Sequence, residues 1–264
     1  MYTLGLLASV LIGISLGLIG GGGSILTVPV LVYLLGVDPV LSTGYSLFIV
    51  GITSAVGSIP YFRASLVHLP TVLSFGFPSI VSVFLTRAYL LPAIPETILI
   101  SRNLMLDRGT MLMLLFALLM LVASIGMITP NRSRAESIRI SRFAYPLVIF
   151  EGLLVGMLTG LVGAGGGFLI IPALVILGKL PIKEAIGTSL LIIAAKSLLG
   201  LVGENGLMDW NWKLLFGVIG LAIGGLLIGV KLSQSVDGAK LKPAFGWFVL
   251  LMGIYMIIKE TLLS

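Results

Sequence analysis

The sequence predicts an all-α, polytopic membrane protein made of two homologous repeats. Three observations carry that prediction. The chain is 58% hydrophobic, with a mean hydropathy of +1.19. Only 10% of its 264 residues are charged, against roughly 25% in a soluble domain. And it repeats itself: Gly17-Leu18-Ile19-Gly20-Gly21-Gly22-Gly23-Ser24 returns 143 residues on (160 − 17) as Gly160-Leu161-Val162-Gly163-Ala164-Gly165-Gly166-Gly167. The register holds without a gap from Gly17–Gly57 to Gly160–Gly200, with 16 of 41 aligned positions identical. Two glycine-broken apolar segments, one per half, are the pattern of transporters built from internal repeats.

The elements follow in order. Tyr2–Ile19 is long enough to span a bilayer, at ~20 residues per crossing. It lacks a basic start and a small-residue cleavage site, so no cleavable signal is expected. Ile25–Leu35 is too short to span and reads as a half-helix. Val40–Ile59 contains Gly44 and reads as a broken or re-entrant stretch. Leu69–Leu91 and Thr110–Ile128 are spans. A polar stretch within residues 129–143 carries Arg132, Arg134, Arg139 and Arg142 and divides a first repeat, 1–128, from a second, 144–264. The second repeat has Pro146–Val162, Phe168–Leu177, Ala185–Leu201, Trp212–Val230 and Phe245–Ile258.

Topology turns on the short segments. If Ile25–Leu35 and Val40–Ile59 form a hairpin that enters and leaves on one side, each half has three crossings, and an odd number inverts the repeats. If the short segment extends the first helix, the repeats are parallel. Tyr2 to Leu35 as one helix would measure ~50 Å at 1.5 Å per residue, too long for a core of ~30 Å. The basic linker is expected on the cytoplasmic side. That places the N-terminus outside, and Arg63, Lys231, Lys240 and Lys242 inside.

The chemistry lies in the glycine segments. Each Gly costs ~1 kcal/mol relative to Ala in a helix, so residues 20–23 and 163–167 are expected to unwind. Open backbone at membrane depth is tolerated where it is buried in protein or lines a cavity. Each run precedes a helix whose N-terminus carries about half a positive charge, and free N–H groups at such an end bind anions. The candidate solute-binding residues are Gly21, Gly22, Gly23, Ser24, Gly165, Gly166 and Gly167, with a second element of hydroxyls and glycines at Thr43, Gly44, Ser46, Gly187, Thr188 and Ser189. Close packing between helices is the competing explanation for the glycines. Gly44-Tyr45-Ser46 stands where the repeat has Gly187-Thr188-Ser189.

These motifs carry a family resemblance. Gly160 to Phe168, then Pro172, then Ala185-Ile186-Gly187-Thr188-Ser189-Leu190, resembles the sulfite exporter TauE/SafE family, also called the toluene-sulfonate uptake permease family. Gly206-Leu207-Met208-Asp209-Trp210 and Leu241-Lys242-Pro243-Ala244-Phe245 resemble that family's later loops. The resemblance covers nearly the whole chain. It implies transport of small sulfur-containing anions, such as sulfite, thiosulfate or organosulfonates, in or out of the cell across a prokaryotic cell membrane.

Lys196 completes the candidate site, as the only Lys or Arg expected well inside an apolar segment. A Lys at the bilayer centre costs about 2.5–3.5 kcal/mol on insertion scales, so it reads as a positive charge for the anion. Snorkelling to the interface is the alternative. Glu151 reads as a helix-start carboxylate and His68 as a loop residue. Trp210, Trp212 and Trp247 fit interfacial anchoring. The absence of Cys removes thiolate ligation and disulfides. No metal-ligand spacing, nucleophile elbow or Walker Lys is evident, so neither an enzyme, a metal nor a cofactor is expected. The net charge of +6 reads as cytoplasmic-loop bias rather than nucleic-acid binding. The expected partners are the lipid bilayer and the anion, and a homo-oligomer is compatible with the sequence. A membrane scaffold without a solute would explain the hydrophobicity but not the paired glycine breaks.

Overall fold

The computed structural model describes residues 2–101, 104–128, 145–163, 165–176, 180–203, 210–233 and 238–262. The predicted linker 129–143 and the Gly206–Asp209 loop lie outside the described residues. Among the described residues the fold is all-helical apart from one hairpin. In the first half, α1 is Tyr2–Ile19 and α2 is Gly22–Pro29, continued by a widened π turn Val30–Leu34. Then come α3, Pro39–Arg63, and α4, Leu69–Ala93. The antiparallel strands β1 (Thr97–Ser101) and β2 (Leu104–Asp107) lead into α5, Arg108–Ile128. The second half has α6 (Tyr145–Val162), α7 (Gly167–Ile176), α8 (Ile182–Gly200), α9 (Trp212–Ser233) and α10 (Gly238–Leu262).

Among the described residues, five helices are long and apolar enough to cross a membrane: α3, α4, α5, α9, and α8 with the short turn that follows it. Rows of large apolar side chains point outward, among them Leu4, Leu7 and Leu11 of α1 and Leu118, Val122 and Ile125 of α5. In water such surface would be a liability; against lipid tails it is the expected exterior. The centre is α3 and α8, each 67% buried along its apolar span.

The hairpin of the first half forms differently from the sequence expectation. Val40–Ile59 is neither broken nor re-entrant but lies inside the continuous α3. Asp38 caps that helix, its carboxylate accepting from Val40 N–H at 2.9 Å and Leu41 N–H at 3.0 Å, and Pro39 supplies the preset first turn. Instead, α2 folds back on α1. Gly23 lies against Ile12 and Leu16, and Gly5 against Leu34 and Leu35. The half-helix therefore returns to the end of α1 where the chain began, and three helices long enough to cross follow. The glycine break is also shorter than expected: Gly22 and Gly23 already belong to α2.

Packing recurs at the 143-residue offset. Gly13 and Gly17 of α1 lie against Ala222, Leu226 and Val230 of α9, so these helices run parallel. Gly156 and Gly160 of α6 (13 + 143, 17 + 143) lie against Ser79, Ser82, Val83 and Thr86 of α4, and 79 and 83 are the counterparts of 222 and 226. At the centre, Gly51 of α3 meets Ser197 and Leu198 of α8, and Gly57 meets Leu190, so α3 and α8 are antiparallel. Gly246 and Gly253 of α10 meet Met127 and Ala117 of α5, again antiparallel. Counterpart helices thus face each other head to tail, which is compatible with an inverted repeat. The 97–107 hairpin is an addition to the first half; only 234–237 separate α9 from α10.

Candidate functional site

The two glycine turns converge between α3 and α8. Gly20 and Gly163, matched positions, both take left-handed backbone (φ +74° and +72°), as a glycine just past a helix end commonly does. Their N–H groups donate to Leu16 and Thr159 carbonyls at 2.7 and 2.9 Å. Gly20 lies against Ile186 of α8, and Gly163 against Thr43 of α3; 43 + 143 is 186, so each turn abuts the other half's central helix at the same place. Between them, Gly21 and Gly167 touch backbone to backbone. The N-termini of α2 and α7 therefore meet inside the protein. The first-turn N–H groups of a helix have no intrahelical acceptor, and both dipole ends add positive potential there.

The predicted residues divide by what they do. Gly21, Gly22, Gly23 and Ser24 are buried at the start of α2, where the Ser24 hydroxyl donates to the Gly21 carbonyl at 2.7 Å. Gly165 (φ +60°) lies against Val50 and Ile193. Gly166 (φ +69°) lies against Thr159 and Lys196. Thr43 Oγ1 donates to the Val40 carbonyl at 2.7 Å, and Ser189 Oγ to Ile186 at 2.8 Å. Gly44 and Ser46 are buried within α3. Gly187 sits apart from the turns, packed on Tyr61 and the Leu66 carbonyl.

Thr188 is engaged elsewhere, and its role explains Tyr45. The His68 N–H, at the start of α4, donates to Thr188 Oγ1 at 2.9 Å. The Asn211 N–H, at the start of α9, donates to the Tyr45 hydroxyl at 2.6 Å. The pairs 68/188 and 211/45 are one contact repeated at the offset (68 + 143, 45 + 143). A hydroxyl on each central helix ties down the loop of a neighbouring span, and Tyr does at one end what Thr does at the other. Trp210, expected at an interface, is instead buried against Tyr45, with ring centroids 5.0 Å apart.

Lys196 is fully buried. Its Nζ donates to Thr159 Oγ1 at 3.0 Å and reaches Gly166, where a Cβ would stand 2.6 Å from it. It does not snorkel; it points at the second glycine turn. It is not the only buried cation. Arg87, in the widened turn Thr86–Leu90 of α4, is 2% exposed, and its neighbour Thr86 packs on Gly160 near the end of α6. Sequence reasoning missed it, although Arg87 falls inside the apolar stretch Leu69–Leu91. Among the described residues no cluster of three metal-ligating side chains forms.

Helices of this length and apolarity, packed around buried polar backbone, define a multi-pass membrane protein. The sulfite exporter TauE/SafE family matches residues 5–256, and the chain belongs to that family. It is 32% identical over 257 residues to a probable membrane transporter protein of Xylella fastidiosa, covering 94% of this chain and 91% of that one. It is 27% identical over 280 residues to a probable membrane transporter protein of Bacillus subtilis, covering 97% and 96%. A probable membrane transporter protein of Methanocaldococcus jannaschii is 35% identical over 118 residues, 42% of this chain and 44% of that one. No solved structure matches the chain. The protein is a membrane transporter of the cell membrane.

Proposed function

We propose that the protein is a secondary transporter of small sulfur-containing anions such as sulfite, thiosulfate or organosulfonates, and that it works by alternating access. The observation that supports this most is Lys196, a fully buried ammonium aimed at the glycine turn where two helix N-termini meet. A cation, two dipole ends and approachable N–H groups at one point favour an anion stripped of water. Residues 1–128 and 144–264 are two inverted repeats joined by a cytoplasmic linker at 129–143. One repeat rocks against the other about the α3–α8 crossing, exposing the site to each side in turn. The family's name supplies the sulfur chemistry, and the site supplies the negative charge of the solute.

The test is uptake and efflux in proteoliposomes holding the purified protein, with a panel of sulfite, thiosulfate, sulfoacetate, acetate and succinate. Saturable flux of the sulfur anions, exceeding that of the carboxylates, is expected. Flux of carboxylates alone would overturn the sulfur assignment. No flux of any anion from correctly inserted protein would favour a scaffold.

A further inference from the structure

Two serines outside the predicted site lie on the same helix faces that line it. Gly165 touches Val50 of α3 and Ile193 of α8, and Gly167 touches Ile193, so these positions mark the faces that α3 and α8 turn toward the glycine segments. Residues four apart share a helix face. Ser46 and Ser54 flank Val50 at that spacing, and Ser189 and Ser197 flank Ile193. The two stripes, Ser46–Val50–Ser54 and Ser189–Ile193–Ser197, are counterparts at the 143-residue offset. All four serines are fully buried. The Ser189 hydroxyl donates to Ile186 and lies 3.5 Å from the Gly20 carbonyl. The hydroxyls of Ser46, Ser54 and Ser197 have no partner among the described residues.

Buried hydroxyls are nearly always hydrogen-bonded. Elsewhere on α3 they are: Thr43, Thr53 and Ser58 each donate to a carbonyl one turn back, at 2.7, 2.6 and 2.8 Å. Of the four serine hydroxyls without a partner among the described residues, three lie on the faces that meet the glycine turns and the fourth, Ser79, lies on α4; that concentration points to a ligand at the turns. Ser197 lies against Gly51, and Gly51 is one turn from Ser54, so the pair brackets the middle of the antiparallel α3–α8 crossing.

We propose that Ser54 and Ser197 are solute-binding residues, a matched pair of neutral donors on the pseudo-two-fold axis that hold the oxygens of an oxyanion beside the Lys196 charge. This rests on the anion-transport reading. A cation alone would bind any small anion; hydroxyls on the axis add directed donors that match the separated oxygens of an oxyanion rather than the single centre of a halide. Because one hydroxyl comes from each half, the pair stays in reach of the solute while the halves rock.

The native chain has no cysteine, so Ser54→Cys and Ser197→Cys are single reporters. Proteoliposomes carrying each would be treated with a small anionic methanethiosulfonate reagent, with and without sulfoacetate, using detergent-denatured protein as the full-reaction control. Both cysteines are expected to react, and sulfoacetate is expected to slow the reaction at least fivefold. Ser54→Ala and Ser197→Ala are expected to insert normally and to lower the apparent affinity for sulfoacetate at least tenfold. Cysteines that react only after denaturation would mean a dry helix crossing and would overturn the proposal. So would Ala variants with unchanged affinity. Reaction slowed by acetate but not by sulfoacetate would support the hydroxyl site and overturn the sulfur assignment instead.

Discussion

Lys196 has no charged counterpart. Position 53, its match in the first half, is Thr53, whose hydroxyl donates to the Ile49 carbonyl at 2.6 Å. Thr159, the partner of Lys196, is matched by Leu16. The backbone of the site is repeated, yet its one ammonium–hydroxyl pair belongs to the second half alone. On the proposed anion-transport reading, one centred positive charge suits one anion per cycle, whereas a second at position 53 would add desolvation cost without a second solute. Lys196→Met keeps length and packing and removes the charge. It is expected to weaken anion binding by ~1–3 kcal/mol, the scale of a charge-assisted hydrogen bond. Lys196→Arg is expected to retain part of the affinity, limited by its wider planar head. Titration calorimetry with thiosulfate measures both. Unchanged affinity in the Met variant would make Lys196 structural and leave the site to N–H and hydroxyl donors.

At the scale of elements, the glycine turns bear two separable loads: left-handed backbone and close approach. Gly165 has both, with φ +60° and a Cβ position 2.6 Å from Val50 Cγ1. Gly36 has only the first, with φ +69° and nothing within 4 Å. An L-residue in that conformation costs roughly 1–2 kcal/mol. Gly36→Ala is therefore expected to lower thermal stability in detergent slightly and leave transport intact, while Gly165→Ala is expected to abolish transport. Equal transport in the two variants would remove Gly165 from the site. The glycines were legible because a 143-residue echo of Gly-rich sequence has few explanations. The shape of α3 was not. Gly44 suggested a broken helix, but Thr43 and Thr53 bond carbonyls of the same helix, and burial between neighbours outweighs weak propensity. Nor did the sequence reveal that Tyr45 and Thr188 perform one task. That equivalence appears only when Asn211 and His68 are seen beside them. The 97–107 hairpin was also hidden, because it falls in the short connection between the spans Leu69–Leu91 and Thr110–Ile128.

For the whole molecule, the alternation of helices fixes which loops share a side. In the proposed inverted arrangement the α1–α2 hairpin returns to its starting side, α3, α4 and α5 then cross in turn, and the second half does the reverse. The Glu96 end of α4 should face one side of the membrane, and the Arg63 end of α3 and the Lys231 end of α9 the other. With the Arg-rich linker in the cytoplasm, Arg63 and Lys231 are inside and Glu96 is outside. The halves are not identical in packing. Whereas α2 lies back along α1, α7 meets α6 over a much shorter stretch. An inverted-repeat transporter needs such inequality, because a state open to one side is one in which the two repeats have adopted different arrangements. The cysteine-free chain makes the topology directly readable. Glu96→Cys, Arg63→Cys and Lys231→Cys, all at exposed positions, would be challenged in intact cells with a membrane-impermeant maleimide and then with a permeant one. Blocking by the impermeant reagent is expected at 96 alone. Blocking at 96 and 231 together would place both on one side, which no inverted arrangement of these helices allows, and the rocking mechanism would fall with it.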